Sequence, residues 1–274
     1  MNRFGMDSRT LAGSLEERLS AIKAAGFAHV MLWSSDLLDH PQGLEQALES
    51  VRASELRVTG LQLLRDFEGL TESQDRADKR SQTEALLALC ARVQAPLLLT
   101  CSSVAPGGRT DQAELAADLR ELATLAASYD IRIAYEALSW GYAVRDLDQA
   151  WSLVRTVDHR SLGLAIDSFH MIARETQVDV LQAIDPARIF VVQLADCLQS
   201  RFDADDARIH VARHERVFPG SGSHGALIAR LLRRLEAIGY QGDYSLEVFG
   251  DPYWQQTAGD VARLAAASRN SLIS

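Results

Sequence analysis

Residues 189–196 read IFVVQLAD. The opening run is short, apolar and partly β-branched, the pattern of a strand covered on both faces. It ends on Gln193, and Asp196 follows. An amide buried without partners costs roughly 1–3 kcal/mol, so a glutamine closing such a strand needs a use. Runs of the same kind recur along the chain: AHVMLW (28–33), RVTGLQLL (57–64), APLLLTC (95–101), IRIAYEAL (131–138), LGLAID (162–167) and DYSLEVF (243–249), with a weaker RFGMDS at 3–8.

Helical patterns lie between these runs. In AELAADLRELATLAASY, Leu115, Leu119, Leu122 and Leu125 recur at helical spacing. SLEERLSAIKAAGF offers Ser14 as an N-cap with Glu17 three residues on, and a stop near Gly26. HGALIARLLRRLEAIGY ends in the same way near Gly239. Eight strand candidates alternating with helices predict a (β/α)8 barrel, an α/β fold with one catalytic domain over residues 1–274. No G-x-G-x-x-G follows the first strand, which disfavours the doubly wound alternative.

Composition narrows the partners. The chain has 274 residues, 47% hydrophobic and 24% charged, with net charge -9, which disfavours nucleic acid. Three separated cysteines suggest neither a disulfide framework nor a zinc ribbon. The opening MNRFGMDSRTLAGSLEERL has no signal-peptide apolar core, and no run is long enough to span a membrane. The expectation is a cytoplasmic protein acting on a small molecule, with association into a homo-oligomer left open.

Barrel chemistry sits at the C-terminal ends of the strands. There the chain places Glu136, Asp167, Gln193 and Glu247, on the fifth to eighth strands. Three carboxylates converging on one mouth would repel one another without a cation. Carboxylate and amide oxygens suit Mg²⁺ or Mn²⁺, with Co²⁺ or Zn²⁺ also able to bind. A neutral Gln193 would keep that metal more electrophilic than a fourth carboxylate would. His170, three residues after Asp167, is positioned to address a metal-bound substrate. RHERVFPGSG puts Arg213, His214 and Arg216 in what reads as a long loop after the seventh strand. An arginine there, or Arg65 at the end of the third strand, suits a carboxylate or phosphate. Cys101 and Cys197 read as small buried residues.

The phrases LQLLRDFEG, RIAYEALSWG, LGLAIDSFHM, IFVVQLAD, RHERVFPGSG and YSLEVFGD resemble the xylose-isomerase-like barrel superfamily of sugar-phosphate isomerases, epimerases and endonuclease-IV-like proteins. Within it they are most similar to the 3-dehydroshikimate dehydratases. The resemblance implies one divalent metal held by Glu136, Asp167, Gln193 and Glu247, and substrate-facing roles for His170, Arg216 and Arg65. It also implies a lyase that dehydrates 3-dehydroshikimate to protocatechuate through a metal-stabilised enediolate. His170 is the expected general base, with Arg216 or Arg65 on the ring carboxylate and His214 nearby. The alternative is a sugar epimerase or isomerase using Glu136 and Glu247 as its acid–base pair. The superfamily's sugar epimerases typically carry His where this chain has Gln193, which favours the dehydratase.

Overall fold

The computed structural model describes residues 3–273. Every apolar run supplies a strand: β1 (Phe4–Asp7), β2 (His29–Trp33), β3 (Arg57–Leu64), β4 (Leu97–Cys101), β5 (Arg132–Glu136), β6 (Leu162–Asp167), β7 (Ile189–Leu194) and β8 (Asp243–Leu246). They close into a barrel in which each strand lies beside its sequence neighbours and β8 pairs with β1. All eight pairings are parallel. The chain is therefore a (β/α)8 barrel. Among the described residues, no helix is long and apolar enough to cross a membrane.

The period of two along each strand sorts side chains between two cores. Leu97, Leu99, Cys101, Ala134, Ala165, Phe190 and Val191 pack inside the barrel with Met31. Residues of the other parity, such as Leu98, Ile133, Tyr135, Ile166 and Val192, face the surrounding helices. Small residues on β5 and β6 make room for larger interior neighbours. A side chain at Gly163 would meet the Phe190 ring at 2.7 Å. The same inward parity carries Glu136 two residues beyond Ala134, Asp167 beyond Ala165 and Gln193 beyond Val191.

Helix boundaries follow local chemistry. Ser14 and Glu17 form the expected reciprocal cap at the start of helix Leu15–Ala24, with bonds of 3.2 and 2.8 Å. The turns after helices Leu15–Ala24 and Gly225–Ala237 use Gly26 (φ +77°) and Gly239 (φ +84°), a left-handed conformation that suits glycine. The segment after β7 corrects the sequence reading. It contains helix Asp205–His214, so Arg213 and His214 end a helix and do not lie in a loop. Asp205 and Asp206 in its first turn, and Arg213 and His214 in its last, complement the helix dipole. Val211 and Ala212 bury its inner face. Arg216–Val217 then pairs antiparallel with Asp196–Cys197. Asp196 accepts the backbone N–H groups of Cys197, Gly220 and His224, which fixes the PGSG turn beside β7.

Glu68, in the loop after β3, is buried and accepts bonds from the Ser103 amide (2.6 Å) and the Tyr135 hydroxyl (2.9 Å). It ties the loops after β3 and β4 to the outer face of β5. Burial pushes its pKa up to about 7. The folded protein therefore holds this proton more tightly than the unfolded chain does. Its contribution to stability is present at acid pH and is lost as pH rises from the usual carboxylate range towards 7. Glu68→Gln should raise stability at pH 8 by up to about 3 kcal/mol and change it little near pH 4.5. Urea titrations at the two pH values check this.

Candidate active site

A cavity of about 370 Å³ opens at the C-terminal end of the barrel. Its floor carries Gln62, Glu136, His170, Arg216 and Glu247, and its mouth carries Arg65, Arg213, His214, Trp140, Trp33 and Trp254. Glu136, Asp167, Gln193 and Glu247 are all buried. Register brings them together: Asp167 pairs with Gln193 across β6 and β7, and Gln193 pairs with Ser245 two residues before Glu247. Glu247 itself follows the last residue of β8.

The tightest group of candidate ligand atoms belongs to Glu136, Asp167 and His170, all within 4.8 Å of one another. These residues are able to hold a metal ion. Glu247 lies outside that group, and its carboxylate has three hydrogen-bond donors. Its Oε1 accepts from Gln193 Nε2 (2.7 Å) and Gln62 Nε2 (3.0 Å), and its Oε2 from Arg216 Nη1 (3.0 Å). Arg216 Nη1 also donates to Asp167 Oδ2 at 2.8 Å, and Nε donates to the Ala212 carbonyl at 2.9 Å. The guanidinium lies over the rings of Phe169 and Phe249. Arg216 is thus buried and committed to two carboxylates, a different setting from the open anion site expected of it.

The site's oxygens are nearly all supplied with donors. Asp167 Oδ1 accepts the Phe169 amide, and Glu136 Oε2 accepts from the Cys101 thiol at 2.9 Å. Two oxygens are left: Glu136 Oε1 and Gln193 Oε1 are buried with no hydrogen-bond partner. Burial raises the Glu136 pKa to about 8, helped by the charges of Asp167 and Glu247. Burial likewise raises Glu247 to about 7, despite the opposing effect of Arg216. Burial and the Glu247 charge raise Asp7 well above its ordinary value. A hard divalent cation fits this chemistry. It would engage the two orphaned oxygens and offset acidic charge that one arginine leaves uncompensated.

His170 is buried, in edge contact with Trp140 and Phe169. Its Nδ1 faces the Ser139 amide at 3.2 Å and the Ser139 hydroxyl at 3.1 Å. Its Nε2 points towards Asp167 (3.8 Å) and Glu136 (3.9 Å). Burial lowers its pKa to about 4, although Asp167 opposes the shift. His214 lies at the rim, bonded to Asp251 at 2.9 Å. Arg65 and Arg213 line the cavity, and neither has an ion-pair partner among the described residues. Sequence reading missed Asp7, Gln62, Ser139 and Trp140. A usable signal existed for two of them, since Asp7 closes the first apolar run and Gln62 interrupts the third.

With this geometry the chain matches the family model described as xylose isomerase-like TIM barrel over residues 19–271, and it belongs to that family. A 3-dehydroshikimate dehydratase of Pseudomonas aeruginosa is 38% identical over 250 residues, which are 89% of this chain and 37% of that protein. The chain thus spans little more than a third of that curated relative. A xylose isomerase-like TIM barrel/4-hydroxyphenylpyruvate dioxygenase fusion protein superimposes with a TM-score of 0.90 at 32% identity, over 97% of this chain and 42% of the other. The IOLI protein, solved with a bound zinc atom, shares the fold at a TM-score of 0.85 and 22% identity, over 99% and 98% of the two chains.

Arg216→Met would leave Asp167 and Glu247 buried without their counter-charge. It should destabilise the metal-free protein by about 3–5 kcal/mol. Added Mn²⁺ should recover part of that loss by binding the folded form. Thermal melts in EDTA and in excess Mn²⁺ measure both effects.

Proposed function

We propose that this barrel, as one catalytic unit over residues 1–274, is a divalent-metal-dependent hydro-lyase that converts 3-dehydroshikimate to protocatechuate. The observation that carries the reading is the pair of buried oxygens on Glu136 and Gln193 without a hydrogen-bond partner, together with a cavity mouth whose Arg65 and Arg213 have no ion-pair partner among the described residues. A ring that is both a hydroxyketone and a carboxylate matches those two ends. The likeness to the Pseudomonas aeruginosa dehydratase supports the same substrate.

Glu136, Asp167, Gln193 and Glu247 would hold the cation, with Mg²⁺, Mn²⁺ or Co²⁺ suiting the oxygen donors and Zn²⁺ also compatible. When bound, it supplies Lewis-acid polarisation of the substrate ketone. Arg65, with Arg213 across the mouth, receives the ring carboxylate through charge-assisted hydrogen bonds. Arg216 keeps Asp167 and Glu247 in place, and His214 stays at the rim with Asp251.

His170 Nε2 takes the proton from the ring carbon beside the ketone. That role requires a free Nε2, so the ring proton must sit on Nδ1 facing the Ser139 hydroxyl at 3.1 Å, in place of the Ser139 backbone N–H bond that Nδ1 accepts in this structure at 3.2 Å. The resulting imidazolium is flanked by Glu136 and Asp167. It then returns the proton to the departing hydroxyl, so that one C–H and one C–O bond break, water leaves and a ring double bond forms. Enolisation of the ketone completes the aromatic product.

Purified protein supplied with 3-dehydroshikimate and Mn²⁺ should generate protocatechuate absorbance, and EDTA should abolish it. His170→Ala should lower kcat by about 10²–10⁴-fold. Arg65→Ala should raise KM by roughly 10–100-fold, the loss of one charged hydrogen-bonding group. An epimerised sugar product without catechol absorbance would overturn the dehydratase reading.

A further inference from the structure

We infer that Gln62 is a positioning residue that decides which atom of Gln193, and which face of Glu247, is presented to the cation. This inference rests on the metal-site reading above. Gln62 lies on β3, which contributes none of the four expected ligands, and its side chain is 1% exposed. Its Nε2 donates to Asp7 Oδ2 and to Glu247 Oε1, and its Oε1 accepts from Gln193 Nε2 at 3.3 Å.

The order of constraint runs inward from β1. Asp7 accepts the Arg9 amide at 2.7 Å and the Trp33 indole N–H at 3.1 and 3.0 Å. In its ionised form a carboxylate held by those two N–H groups receives from Gln62, whose Nε2 faces Asp7. Gln62 Oε1 must then face Gln193. An oxygen there accepts only an N–H, so Gln193 presents Nε2 to Gln62 and Glu247 and turns its own Oε1 away. That Oε1 is one of the two orphaned oxygens of the site. With the amide reversed, Gln193 would offer N–H groups to a cation. Gln62 also holds Glu247 Oε1, leaving Oε2 with Arg216.

Two replacements separate orientation from packing. Gln62→Met keeps the bulk and removes every polar bond. Gln62→Glu keeps the shape, loses the N–H donor and sets a third carboxylate against Asp7 and Glu247, and it serves should the Met variant fail to fold. Mn²⁺ titrations by calorimetry and electron paramagnetic resonance, with metal-free melting temperatures, read the result. The expected outcome is Mn²⁺ affinity about 10–100-fold weaker in both variants, the usual range for partners that orient metal ligands. Gln62→Met should melt close to wild type without metal. Unchanged affinity in variants of a wild type that binds Mn²⁺ overturns the role of Gln62 and leaves the metal site standing. A wild type that binds no Mn²⁺, Mg²⁺ or Co²⁺ overturns both.

Discussion

Asp7, Glu136, Asp167 and Glu247 bring four carboxyl groups to the C-terminal end of one barrel, and the guanidinium of Arg216 lies between two of them. Burial works against its charge, yet the neighbouring carboxylates more than offset this and hold the arginine protonated. Around that fixed positive charge the other side chains fall into place. Asp167 and Glu247 turn one oxygen each towards it. Phe169 and Phe249 cover its faces, and the Ala212 carbonyl anchors its Nε from helix Asp205–His214. A single cation cannot balance four acids. The remaining acidity appears as raised carboxyl pKa values and as the bare oxygen on Glu136.

The barrel divides its labour by strand. β5 to β8 carry Glu136, Asp167, Gln193 and Glu247 at or near their ends, while β1 to β3 carry Asp7, Trp33 and Gln62. Trp33, Asp7 and Gln62 form a chain of hydrogen bonds that crosses the barrel mouth and ends on Glu247 and Gln193. Such a chain is rigid because each member has one orientation that satisfies its neighbours.

Much of this was legible in the sequence because strands announce themselves locally. RVTGLQLL, LGLAID and IFVVQL match strand bounds residue for residue, and the Ser14–Glu17 cap lies where its spacing placed it. Glu136, Asp167, Gln193 and Glu247 stood out as polar ends of apolar runs, and all four are buried at neighbouring strand ends, with Glu136 and Glu247 lining the cavity. What escaped depends on partners far apart in the chain. Gln62 meets Glu247 across 185 residues, and nothing local marks an amide in an apolar run as an orienting group. The pairing of Arg216 with Asp167 and Glu247 is equally nonlocal, which is why a residue read as an open anion site proved to be enclosed. Helix Asp205–His214 was hidden by its polarity, since only Val211 and Ala212 are buried along it.

The pairing of β8 with β1 bears on how the chain is made. A ribosome releases β1 before every other strand of the barrel and β8 after them, so the first strand waits with an unpaired edge through almost the whole synthesis of the barrel. The acidic cluster waits as well: Asp167 emerges well before Arg216, and Glu247 later still. Until residues 243–246 arrive to close the ring, the nascent protein exposes a strand edge and has no finished site. Vectorial synthesis therefore makes closure of the barrel and completion of its chemistry one late event.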